Sequence, residues 1–143
     1  MKFSEAEGRK VVSTSTAETV GKIADYIIDP KQKTLAGIVL KKTSGNEDTI
    51  PWDSVDAFGE DAVMIKDEDV LVVPSGRLAE LTGKSLKERG KLVLSSAGVD
   101  LGKVDDVEFD PKTGALTALL LNGTTIDGGR LLAAGSYAVI VQA

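Results

Sequence analysis

Carboxylates are the side chains in this sequence with the number and placement to do chemistry, because the chain has no His and no Cys. That absence excludes disulfides, thiol nucleophiles, His-based triads and Cys-based metal sites. Asp29 and Asp110 each precede a proline, in Asp29-Pro30-Lys31 and Asp110-Pro111-Lys112. Such residues can act as metal ligands or acid–base groups, or can open a turn by bonding their own backbone. The second reading is preferred, because the two lie in separate repeats. Between Asn46 and Asp69 stand Glu47, Asp48, Asp53, Asp56, Glu60, Asp61, Asp67, Glu68 and Asp69 against a single base, Lys66. The run lacks the alternating spacing of a calcium loop. It reads as a solvated face, and Asp53, Asp56, Glu60 and Asp61, with Trp52, are the candidate contacts for a basic partner. Trp52 is the only Trp. It suits either a binding hot spot or a plug at a barrel rim, and the plug is preferred. Thr82-Gly83-Lys84-Ser85 resembles the end of a phosphate-binding loop, but Leu78 stands where that loop needs its first Gly, so the reading is rejected. No catalytic, cofactor or metal residues are assigned.

The elements that must carry these residues come from a repeat. Val11–Leu40 aligns without gaps on Leu92–Leu121, so Gly21-Lys22 falls on Gly102-Lys103, Asp25 on Asp106 and Leu35 on Leu116. Beyond Leu40 the register changes, and Ile50–Ile65 aligns on Ile126–Val141. The first copy carries five more residues, assigned to the loop "KKTSGNEDT" where the second has only Asn122-Gly123. Short runs of β-branched residues between turn signals predict strands. Asn122-Gly123 predicts a type I′ hairpin. Gly114 is placed to close a turn in left-handed backbone, and Lys33 in its place predicts a different or strained turn. In the second strand of each copy the apolar residues are spaced three, then two: Ile23, Tyr26, Ile28 and Val104, Val107, Phe109. That irregular step predicts a β-bulge near Asp25 and Asp106. Ser75, Leu78, Leu81 and Gly83 predict one short helix between the copies. The capping-box pattern at Ser4 predicts a single helical turn near the N-terminus.

These motifs, "(V/L)GK(I/V)xD", the Asp-Pro hairpin, "IPWDSV" and "GEDAV", resemble the PRC-barrel domain. That family includes the cytoplasmic part of the photosynthetic reaction centre H subunit and the C-terminal domain of the bacterial ribosome maturation factor. The likeness runs from Ser4 to Ile65 and from Ser85 to Val141, and departs where Asp127-Gly128 replaces Pro51-Trp52. It implies an all-β chain of two small six-stranded barrels joined by a short helix. The expected divisions are a first repeat over 1–70, a linker over 71–84 and a second repeat over 85–143. The resemblance also implies adaptor-like roles and supplies no catalytic residues.

The chain has 143 residues, 42% apolar and 27% charged, with a net charge of −5. An acidic surface with scattered bases argues against direct nucleic-acid binding. No run is long and apolar enough for a membrane helix, and the N-terminus has no secretory pattern, so a cytoplasmic location is expected. From Thr113 onward only Asp127 and Arg130 are charged. The strands there are apolar on both faces, so the outer face must be covered. Either the first copy or the linker helix covers it, or it forms a homodimer or partner interface, with Leu116, Leu119, Leu121, Leu132, Tyr137 and Ile140 as candidates for self-association. The expected function is a non-enzymatic interaction module that self-associates. The alternative is a ribosome- or RNA-processing accessory that binds a basic protein.

Overall fold

The computed structural model describes residues 1–82 and 90–143. Gly83, expected to stop the linker helix, and Lys84-Ser85 lie outside the described residues. The chain forms two matched six-stranded units. The first has β1 (Lys10–Ser13), β2 (Thr19–Asp29), β3 (Thr34–Lys41), β4 (Thr49–Pro51), β5 (Val55–Phe58) and β6 (Ala62–Ile65). The second has β7 (Leu92–Ser95), β8 (Asp100–Phe109), β9 (Leu116–Leu121), β10 (Thr124–Asp127), β11 (Leu131–Ala134) and β12 (Ala138–Val141). Strand order is β4-β3-β2-β1-β6-β5 in one and β10-β9-β8-β7-β12-β11 in the other. Neighbours are antiparallel except β1 with β6 and β7 with β12, which run parallel. Each sheet curls into a barrel-like shape around its own aliphatic side chains. The end strands β4 and β5 are not paired with each other, nor are β10 and β11.

The bulges stand where the spacing placed them. Register slips between Ile23 and Asp25 and between Val104 and Asp106. At each, the aspartate accepts from the next backbone N–H: Asp25 from Tyr26 at 2.7 Å and Asp106 from Val107 at 2.9 Å. A bulge frees backbone groups from the ladder, and a nearly buried carboxylate satisfies one of them. The extra residues of the first unit lie in the loop 42–48 between β3 and β4, where the second unit has only 122–123. That shorter turn differs from expectation. Gly123 is left-handed (φ 80°) but Asn122 is not, so the turn is not type I′, which needs positive φ at both positions.

Among the described residues two short α-helices pack on the units. The helix α1 (Phe3–Ala6) is the expected single turn, but Ser4 does not cap it. Ser4 lies inside the turn, and both its N–H (3.2 Å) and its hydroxyl bond Asp106 of the second unit. A charged, nearly buried acceptor outcompetes a local cap. The helix α2 (Gly76–Leu81) lies over β2 and β3 and buries Leu81. Ser75 holds its N-cap position without a side-chain bond.

The units share one core at an aromatic junction. Phe109, at the end of β8, packs edge-on to Phe58 at 5.2 Å, 5.6 Å from Phe3 and 5.9 Å from Tyr26. Phe3 stacks on Tyr26 at 3.9 Å, and Trp52 lies 6.0 Å from Phe58. Five of the six aromatic residues in the chain therefore gather here. Arg9 closes the cluster from outside, 5.8 Å above the Phe58 ring and bonded to the Gly59 carbonyl at 2.7 Å. The Tyr26 hydroxyl donates to the Phe3 carbonyl at 3.2 Å, and burial pushes its phenol well above the usual range, with the Glu7 charge acting in the same direction.

Two outcomes are expected. Replacing Phe109 with Ala removes contacts to both units at once, and denaturant titration should show about 3–5 kcal/mol lost. Trp52 fluorescence and far-UV circular dichroism should trace coincident transitions in the wild type. Tyr26 governs alkaline stability. Its raised folded-state pKa means that the unfolded chain releases the proton first, so stability is intact below about pH 10 and falls above it. Tyr26→Phe should cost about 1 kcal/mol at pH 7 through the lost hydrogen bond. It should also flatten the decline above pH 10, as read from thermal midpoints against pH.

Candidate functional site

The segment from Trp52 to Asp61 is assembled by three successive elements. Trp52–Ser54 form a 3-10 turn that follows Pro51 at the end of β4, β5 runs to Phe58, and Gly59–Asp61 turn into β6. Val55 is half-buried and Phe58 is buried, so the carboxylates between and beyond them face water: Asp53, Asp56, Glu60 and Asp61 are all exposed. The four are exposed in the 3-10 turn before β5, in β5 and in the turn that follows it.

Trp52 is half-buried. It is pressed against the second unit, where a Cβ added to Gly114 would lie 2.8 Å from its ring. It also walls an open groove of about 560 Å³. Pro51, Leu35, Leu78 and Leu81 give the groove its apolar lining, while Asp53, Asp29 and Arg77 give it charge. Thr113 brings the second unit to its rim. Trp52 thus meets the second unit at Gly114 and also lines the groove.

The two Asp-Pro residues act on their own turns. Asp29 accepts from the N–H groups of Lys31 (3.0 Å) and Gln32 (3.3 Å), and Asp110 from that of Lys112 (2.8 Å). Asp29 also pairs with Arg77 of α2 at 3.2 Å, which pins the helix beside the groove. The half-exposed guanidinium makes this a modest tether. Among the described residues, no three of Asp, Glu, His or Cys come together to hold a metal ion.

The apolar set proposed for self-association separates. Leu116, Leu119 and Leu121 are buried inside the second unit and offer no outer surface. Ile140 is half-buried, whereas Leu132 (45%) and Tyr137 (76%) are exposed. Two-faced apolarity in β9 did not tell which face lies outward. Sequence reasoning also missed the junction residues Phe3, Tyr26, Phe58 and Phe109. A signal existed in the repeat: Tyr26 aligns with Val107, Phe109 with Ile28 and Phe58 with Ala134, so each aromatic replaces an aliphatic or small residue in the other copy.

No helix among the described residues is long and apolar enough to cross a membrane. The chain matches none of the curated proteins. The family model for the PRC-barrel domain matches it over residues 1–74 and again over 89–139. Two units of one topology, each with a bulged second strand and an Asp-Pro hairpin, agree with that double match, and the chain belongs to the PRC-barrel domain family, as a tandem pair.

Proposed function

We propose that this tandem protein is a non-enzymatic adaptor or scaffold that binds a basic protein partner. The single observation that carries the reading is the strip from Trp52 to Asp61. An indole at a groove gives an apolar anchor, and four exposed carboxylates beside it give complementarity to Lys and Arg. That combination, an aromatic anchor with a charged surround, suits protein recognition. Catalysis would need groups that converge on a reacting atom. Asp29 and Asp110, the carboxylates at matched places, bond their own turns instead. Self-association belongs to the same reading and would use Leu132 and Tyr137.

The test compares the wild type with a variant carrying Asp53→Asn, Asp56→Asn, Glu60→Gln and Asp61→Asn. All four side chains are exposed, so the fold should survive. Used as baits in native cell extract, the wild type should retain a basic protein that the variant binds about tenfold more weakly. That binding should weaken with added salt. Equal capture by both baits, or retention of the wild type on immobilised nucleic acid at physiological salt, contradicts the reading. Light scattering on the same samples tests self-association: a mass above 15.0 kDa for the wild type supports it, and a mass of one chain removes it.

A further inference from the structure

The junction contains a local two-fold relation. The Leu35 N–H donates to the Gly114 carbonyl at 2.8 Å, and the Leu116 N–H donates to the Lys33 carbonyl at 2.9 Å. Between them Thr34 bridges Ala115. Lys33, Thr34 and Leu35 align in the repeat with Gly114, Ala115 and Leu116. Each unit therefore gives the other the same backbone groups that it receives. This is the geometry of an isologous dimer contact, held within one chain. The two turns also share one backbone shape, with φ of 60° at Lys33 and 79° at Gly114.

What faces these turns is unequal. Trp52 lies against Gly114 so closely that a Cβ there would stand 2.8 Å from its Nε1. In the other half the residue aligned with Trp52 is Gly128, where a Cβ would lie 1.9 Å from the Leu116 carbonyl oxygen. No side chain fits at Gly128, and beside it Lys33 keeps a full side chain, its ammonium donating to the Gly129 carbonyl at 2.6 Å. Large meets small in each half, in opposite order. Two first units joined in this way would set Lys33 against Trp52 twice. Two second units would set Gly114 toward Gly128 and leave the space unfilled.

We propose that the junction is an interface with partner choice built into it. A unit carrying Trp52 and Lys33 pairs with a unit carrying Gly114 and Gly128, and rejects a copy of itself. Selection of this kind needs a steric penalty against like pairing as well as fit to the correct mate. Within the chain the mate is the other unit. Joining two complementary units covalently keeps the mate at high effective concentration.

The test uses the full chain. Gly114→Lys gives both turns the first-unit residue. Gly123→Lys is the control, because Gly123 has nearly the same φ, 80°, with nothing within 4 Å of an added Cβ. Both carry the backbone strain of a left-handed lysine, and only Gly114→Lys meets Trp52. Its thermal midpoint should fall at least about 3 °C further than that of Gly123→Lys, with a change in Trp52 fluorescence. In a Trp52→Ala background, the added cost of Gly114→Lys should shrink to that of Gly123→Lys. If Gly114→Lys alone does not fold, folding of Trp52→Ala/Gly114→Lys supports the proposal. Equal cost of the two lysine substitutions in the wild-type background overturns it, and so does an excess at Gly114 that persists without Trp52.

Discussion

The packing of Phe109 against the first unit is the contact on which the rest depends. A chain of 143 residues divided into two barrels leaves each with a small core, and small cores are marginal when they stand alone. Val, Ile, Leu and Ala fill the interiors, and nearly all the aromatic surface is placed at the junction instead. Phe109 belongs to β8 of the second unit, yet its ring neighbours Phe3, Tyr26 and Phe58 belong to the N-terminal helix and the first barrel. Large rings bury more area per residue than any aliphatic, so the few present have most effect where two units meet. Phe109 completes the apolar face of its own strand, β8, and the same ring fuses the two units into one core.

Around that contact, equal and unequal residues divide the work. What the copies share builds each barrel: the aspartate at the bulge, the aspartate that opens the hairpin, and the aliphatic face of each strand. What they do not share makes the halves fit. Trp52 stands over Gly114, while the aligned Gly128 lies against its own unit's Leu116 and Lys33 reaches the carbonyl of its neighbour Gly129. Duplication alone would give a symmetric pair, and the differences turn it into a matched one. The same Trp52 walls the groove and begins the run of exposed carboxylates, so joining the units also shapes that groove.

Local features were legible in the sequence and long-range ones were not. A step of three in the apolar spacing of Ile23 and Tyr26 has one economical cause, an inserted residue, and the bulge stands there. The length of the loop after Lys41 followed from the change of register between copies. Asn122-Gly123 marked its turn correctly but not its type, because glycine alone supplied the positive φ. The pattern at Ser4 suggested a cap, since nothing local announces an acceptor that lies 102 residues away. Leu116, Leu119 and Leu121 looked like surface for a similar reason. Apolarity on both faces of a strand says that both are covered, but the covering element lies elsewhere in the chain. Trp52 and its acidic neighbours were singled out by type alone, and the groove beside Trp52 required the folded positions of α2 and Thr113.

The junction is expected to make the two barrels one cooperative body. Hydrogen exchange at the amides of Leu35 and Leu116, measured at increasing low concentrations of denaturant, tests it directly. These N–H groups bond across the units rather than within either sheet. Both should exchange only through global unfolding, with the same opening free energy and denaturant slope as buried core amides such as Ile38 and Leu119. Exchange through a smaller opening, with Leu35 and Leu116 released while Ile38 and Leu119 stay protected, would show two barrels that merely touch and would contradict it.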